Sequence, residues 1–403
     1  MTPARTSIRS IQRALVEAGV DGWLFYDFLH RDPMAYSVLG LGRGLAKRRW
    51  FYLIPAAGSP RKLVHRIEAL ALESLPGRRL LYASRQELEA GLRELLAGVK
   101  VVAMQYSPQA RNPYVSTVDA GTVELVRRSG VRVVSSGDLV QQFEACWTDR
   151  QLASHLAAGR KIDRIVQQAF RQATAALRAG RRLTEYDLQQ WMAEAFRREG
   201  LTADSAPIVA FGPNSANPHY EPTPARSATI RPGGVLLLDV WGKLDRPGSV
   251  YYDVTWVAFT AAGVPERVRR VFEVVRQARD AAIAFVRRAV EQQRPVRGWQ
   301  VDRVARRVIE RAGFGPYFTH RTGHNIGTEV HGNGAHLDSF EMPEDRRILP
   351  RTCFSVEPGI YLRDFGIRSE VNVYVDRRQA RVTGAVQQNI LPLLAETVGQ
   401  AGK

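Results

Sequence analysis

Cysteine is almost missing from this chain of 403 residues: Cys146 and Cys353 stand far apart and form no C-x-x-C pair, which argues against a disulfide framework and a thiolate zinc site. No stretch is apolar for long enough to span a membrane, and the N-terminal MTPARTSIRSIQRALVEAG lacks the unbroken apolar core of a signal peptide. The expected location is the cytoplasm. Lysine is scarce as well, confined to positions 47, 62, 100, 161, 243 and 403. The net charge of +17 is therefore carried by arginines, which are scattered through every predicted helix instead of gathered in one run. A surface for nucleic acid needs clustering, so neither nucleic acid nor membrane is expected as a partner. The glycine-rich GLGRG at 40–44 has no GK[ST] ending and reads as a plain loop.

What is present is ordinary globular composition, 45% hydrophobic with 33 Gly and 21 Pro, over a length that exceeds one compact core. The first part opens with a helix over 6–18, closed by Gly19. The aromatic and β-branched runs GWLFYDF, RRWFYLIPAAGSPRKLVHR, RRLLYAS, KVVAMQYS and VRVVSS follow, split by turn residues, with a helix over 85–97 among them. This predicts an α/β domain over residues 1–147. At Thr148 the texture changes, because Thr148 and Gln151 form a capping box in front of a long amphipathic pattern. A second domain is expected over 148–403. Within it a long helix, a shorter helix and strands occur twice at an offset of about 115 residues. That order predicts an α+β domain with an internal pseudo-twofold duplication, both halves contributing to one shared sheet with ligands meeting at the seam.

The chemistry converges on His320–Glu370, which reads HRTGHNIGTEVHG, CFSVEPGIY and DFGIRSEVNVYV. Here His324, Glu357 and Glu370 stand near predicted strands. Asp239 and Asp253 lie on an earlier hairpin, VLLLDVWGKLDRPGSVYYDVTW, each inside an apolar strand where an uncompensated carboxylate costs several kcal/mol, roughly. Four carboxylates and one imidazole suit a pair of divalent cations. Period-two alternation places Arg368, Glu370 and Asn372 on one strand face. Arg368 then has two equal readings, counter-ion to a ligand carboxylate or bidentate anchor for a substrate carboxylate. His219, His320 and His331 gather around the same motifs as proton donors or substrate-binding groups, whereas His336, in a polar loop, is expected to be solvated.

The set PHY (218–220), HRTGH (320–324), VH (330–331), EPGIY (357–361) and R-x-E (368–370) resembles the metal-dependent peptidases of the pita-bread fold, the family of methionine aminopeptidase, aminopeptidase P and prolidase. The likeness is to the proline-specific branch, over residues 148 to about 390, and the first domain resembles the N-terminal domain shared by prolidase, aminopeptidase P and creatinase. The resemblance implies Asp239, Asp253, His324, Glu357 and Glu370 as metal ligands, with Asp253 and Glu370 bridging two ions, His324 and Glu357 completing one and Asp239 the other. It implies Mn²⁺, with Co²⁺, Zn²⁺ or Fe²⁺ as alternatives, and a homodimer in which one subunit's N-terminal domain borders its partner's active site. The implied activity is hydrolysis of Xaa-Pro dipeptides by a hydroxide bridging two metals, with Glu357 relaying its proton. His331 and His219 would stabilise the intermediate or protonate the proline nitrogen, and Arg368 would hold the proline carboxylate. Alternatives are an Xaa-Pro aminopeptidase acting on longer peptides, a metal-dependent lyase or hydrolase of small molecules, and a non-catalytic binding protein. The chain departs from the family pattern at Trp256, where Arg is usual, at Asn325, where Gly is usual, and at Ser369-Glu370-Val371, where Ile-Glu-Asp is more common.

Overall fold

The computed structural model describes residues 7–42 and 46–396. The chain divides into two compact units, Met1–Glu144 and Ala145–Lys403. The first is a six-stranded sheet built from β1 (Gly22–Asp27), β2 (Trp50–Pro55), β3 (Arg61–His65), β4 (Arg78–Tyr82), β5 (Val101–Met104) and β6 (Arg132–Ser135). Its strand order is β4-β3-β2-β1-β5-β6. Helices α1 (Ile8–Ala18), α2 (Pro33–Leu39), α3 (Arg85–Leu95), α4 (Ala120–Arg127) and α5 (Gly137–Glu144) cover it. Both faces are packed, which is why β1 is buried throughout. Trp23 and Phe25 enter one core with Tyr52 and Ile54, while Leu24 and Tyr26 enter another with Phe51 and Leu53. Gly40 of the GLGRG loop closes α2 in the left-handed conformation, and residues 43 and 44 of that loop lie outside the described residues.

The second unit begins with α6 (Asp149–Arg178), whose start carries the expected Thr148/Gln151 capping box, and α7 (Glu185–Glu199), capped by Thr184. Strands β7 (Leu201–Thr202), β8 (Ile208–Phe211), β9 (Val235–Leu244) and β10 (Tyr252–Phe259) follow. The order then repeats with α8 (Glu266–Glu291), α9 (Gly298–Arg311), β11 (Asn325–Ile326), β12 (Thr352–Val356), β13 (Gly359–Tyr361), β14 (Gly366–Arg368), β15 (Val371–Val375) and β16 (Ala380–Val382), ending with β17 (Leu391–Pro392). Helix α8 shows why the helices dock: Val271, Val275, Ala278, Ala282 and Val286 recur at helical spacing and are fully buried. Each buried Val contributes about 1.5 kcal/mol or more.

The halves do not merge into the single sheet expected from the sequence. Strands β7–β10 with β17 form one hydrogen-bonded sheet, β11-β12-β15-β16 a second, and β13-β14 a two-stranded ribbon. The physical reason is that the edge of β10 facing β15 is already bonded, largely to side chains: Asn372 takes Asp253 and Gln387 takes Val257. Among the described residues no helix is long and apolar enough to cross a membrane.

Candidate metal centre

The two aspartates come from the β9–β10 hairpin, whose register pairs Asp239 with Thr255 and Trp241 with Asp253. Both carboxylates thus project from one face, on the diagonal of neighbouring pairs. Trp256 points the other way, into the core formed with α6 and α7, so this departure from the family pattern lies on the face away from the centre.

His324 stands just before β11, where Ser355 Oγ accepts its backbone N–H at 2.9 Å. The glycine before it is required by close packing, since a Cβ on Gly323 would lie 2.0 Å from the Ser355 carbonyl oxygen. Ser355 also donates to Glu357 Oε1 at 2.9 Å, aiming the carboxylate that follows β12. Glu370 lies in the two-residue break between β14 and β15. The alternation read from the sequence holds: Arg368, Glu370 and Asn372 all reach residues of the β9–β10 hairpin.

These five groups converge. Ligand atoms of Asp253, His324 and Glu370 lie within 4.8 Å of one another. His324 Nε2 is 3.3 Å from Glu357 Oε1 and 3.4 Å from Asp253 Oδ2. The Thr255 hydroxyl lies 2.8 Å from Glu370 Oε2 and 3.0 Å from Asp239 Oδ1; with one proton to give it serves either, while it accepts Arg368 Nε at 2.9 Å. Burial, together with the neighbouring carboxylates, pushes Asp253, Glu357 and Glu370 above the usual carboxylate range, and burial lowers His324. Asp253 Oδ1 and Glu370 Oε1 are buried without a hydrogen-bond partner. Buried, mutually repelling carboxylates with orphaned oxygens and an aimed imidazole are the donor set of a divalent-cation site, and the residues fit it.

Arg368 resolves differently from the anchor reading. The residue is 3% exposed, and all three guanidinium nitrogens donate within the protein: Nε to Thr255, Nη1 to Tyr361 Oη at 2.9 Å and Nη2 to Asp239 Oδ2 at 2.5 Å. That geometry favours the counter-ion alternative. Tyr361 in turn lies 2.7 Å from His320 Nε2, while His320 Nδ1 faces the Arg321 carbonyl at 2.6 Å. A carbonyl only accepts, so Nδ1 carries the proton and Nε2 accepts from the phenol. Burial, with Arg368 nearby, holds His320 neutral, at about 3. His320 is therefore tied into a chain running through Tyr361 and Arg368 to Asp239.

His331 is exposed at the rim, its ring 4.3 Å from that of His324 and nearly perpendicular to it. His324, burial and the charge of Arg321 lower its basicity. His219 is also exposed, in the loop between β8 and β9. His336, expected in solvent, is fully buried: its Nδ1 accepts the Asn325 N–H and its own N–H goes to Glu344. The cause is Asn325, whose carboxamide binds the Cys353 carbonyl and the Gly334 N–H and draws the loop after His331 inward.

Two buried carboxylates that no motif singled out hold the histidine-bearing loops. Asp302 accepts the backbone N–H and hydroxyl groups of both Thr322 and Ser339 and pairs with Arg306, which also grips the Phe318 and His320 carbonyls. Glu185 accepts from Phe211 N, Ala228 N, Asn214 and the Tyr220 hydroxyl next to His219. Each stands in the opening turns of its half's shorter helix.

The fold and the carboxylate-rich centre define a metal-binding hydrolase scaffold of the pita-bread class. The chain belongs to metallopeptidase family M24, whose model matches residues 157–377. It is 30% identical over 251 residues to the putative dipeptidase YkvY of Bacillus subtilis, 62% of each chain, and 36% identical over 165 residues to the Xaa-Pro dipeptidase of Lactobacillus helveticus, 40% of each. The matched stretches thus span less than two thirds of these relatives. In structure it resembles dipeptidase PepE from Mycobacterium ulcerans, with a TM-score of 0.68 and 23% identity over 95% of this chain and 96% of that one, which establishes the pita-bread fold.

Proposed function

We propose that this chain is a cytoplasmic, two-metal peptidase that cleaves the bond before proline, with Xaa-Pro dipeptides as its preferred substrates. The observation that carries the reading is the cluster of Asp253, His324 and Glu370, with Glu357 against His324 and Asp239 sharing the Thr255 hydroxyl with Glu370, and with buried carboxylate oxygens left for a cation. The M24 family and the relatives named as dipeptidases support it. Bound divalent ions, Mn²⁺ before Co²⁺, Zn²⁺ or Fe²⁺, would lower the pKa of water and polarise the scissile carbonyl. The chain's own residues do the rest. Glu357, aimed by Ser355, moves the proton of the attacking water. His331, whose ring meets that of His324, and His219, exposed in the loop between β8 and β9, stabilise the developing oxyanion and protonate the proline nitrogen. Arg368, braced by Tyr361 and His320, keeps Asp239 oriented. The domain boundary is placed between 147 and 148, and the working unit is a homodimer in which the N-terminal domain borders the partner's site.

Aminopeptidase P activity on longer peptides is the second reading, favoured by the one observation that Arg368 is already saturated and leaves dipeptide selection without its expected anchor. Hydrolysis of a panel of Xaa-Pro dipeptides and Xaa-Pro-Xaa tripeptides separates the two. Cleavage of dipeptides at least tenfold more efficiently supports the first; equal or better cleavage of tripeptides replaces it with the second; cleavage of neither removes both.

A further inference from the structure

The five ligands come from both sides of a seam that no strand ladder closes. Asp239 and Asp253 belong to the β9–β10 hairpin, whereas His324, Glu357 and Glu370 border β11, β12 and β15. Pairing with β9 leaves the N–H and C=O groups of Asp253, Thr255 and Val257 directed to the opposite edge of β10, which β17 pairs only at Ala258 and Phe259, and buried backbone groups require partners. The partners are unusual. At Asp253, the Asn372 carboxamide closes a ring, its Oδ1 accepting the backbone N–H at 2.9 Å and its Nδ2 donating to the carbonyl. At Val257 the Gln387 carboxamide does the same, Oε1 accepting at 3.0 Å and Nε2 donating to the carbonyl. Between them the Glu370 N–H donates to the Thr255 carbonyl. Both amides are nearly fully buried, and only one orientation of each satisfies both backbone groups. Arg279 of α8, fully buried, ties the device together by donating from Nη1 to the Gln387 carbonyl at 2.8 Å and to Ser369 Oγ at 2.7 Å. Ser369, one of the departures from the family pattern, thereby fixes the residue next to Glu370.

We propose that Asn372 and Gln387 are positioning residues whose side-chain amides replace the missing ladder and set the distance between Asp253 and Glu370 across the seam. The inference rests on the two-metal reading for its link to function. Loosening the seam leaves His324, Glu357 and Glu370 together on one side, enough to hold one ion, and separates them from Asp239 and Asp253. The second ion is the one that suffers.

The test is a Mn²⁺ titration of the full-length apoprotein by calorimetry, alongside backbone hydrogen exchange. Asn372→Leu and Gln387→Leu are expected to keep one ion near wild-type affinity, to weaken the second at least tenfold, and to speed exchange at Asp253 and Val257. Gln189→Leu removes a buried amide bonded elsewhere, to the Pro207 carbonyl, and is expected to keep both ions. Should Asn372→Leu fail to fold, Gln387→Met, further from the ligands, carries the same comparison. Folded variants with two wild-type ion affinities overturn the proposal, as does unchanged exchange at both amides. Wild-type protein that binds no ion removes the metallopeptidase reading instead, and the exchange measurement still decides whether the amides pin the seam.

Discussion

Replacing Arg368 with Met separates the two roles its position allows. The side chain is nearly as long but can donate to nothing, so Asp239 loses its charged partner, Thr255 loses the donor that directs its hydroxyl, and Tyr361 loses its link to the centre. Removing one member of a buried ion pair costs roughly 3–5 kcal/mol, because the remaining charge stays buried without compensation. Carried into the transition state, this is about two to three and a half powers of ten in kcat/KM. The loss does not involve the end of the substrate, so it is expected to be the same for Ala-Pro and for Ala-Pro-Ala. Arg368→Lys is expected to recover little, because an ammonium cannot make the three-way fork. Steady-state kinetics on both peptides with saturating metal gives the answer. If Ala-Pro falls by one to two powers of ten more than the tripeptide, the guanidinium is holding a substrate carboxylate and the counter-ion assignment is wrong.

Asp302→Asn sets an amide N–H₂, in either orientation, against three donors, one from Arg306 and two from Thr322 or Ser339, and is expected to cost about 2 kcal/mol or more, lowering the thermal midpoint in calorimetry; an unchanged midpoint would contradict its place as loop anchor. His155 is buried between the Tyr251 carbonyl and Thr383, and burial lowers its pKa to about 4, so the unfolded chain binds its proton more tightly. The stability it contributes is full above pH 6.5 and is lost as pH falls toward 4, about 3 kcal/mol in all. Urea unfolding should show the advantage of wild type over His155→Gln shrinking between pH 7 and pH 4.5, and a constant gap would refute the assignment. Sedimentation at micromolar concentration should show a dimer; a fully active monomer would exclude the shared-site arrangement.

The five converging side chains were legible as a group because each sits in a short motif whose glycine, proline or neighbouring strand residue performs a local task, as Gly323 does beneath Ser355. The helix starts at Thr148 and Thr184 were legible for the same reason, since caps act over three or four residues. The seam was not. Asn372 and Asp253 are 119 residues apart, Gln387 and Val257 are 130 apart, and an amide that mimics a strand has no periodicity to betray it. His336 misled because its loop is polar in sequence, yet Asn325 and Glu344 give that polarity buried partners. Asp302 and Glu185 read as ordinary acidic residues near a helix start until the returning loops supply the donors.

The central claim is that the five side chains hold two ions and that these ions serve the reaction. Elemental analysis of metal-reconstituted protein, paired with Xaa-Pro hydrolysis on the same samples, tests it most directly. Two divalent ions per chain are expected in active wild type, with one or fewer and no measurable hydrolysis in Glu370→Gln, where the carboxylate that reaches both halves of the site is neutralised. Protein that binds no divalent ion, or a Glu370→Gln enzyme with wild-type activity, would contradict the account.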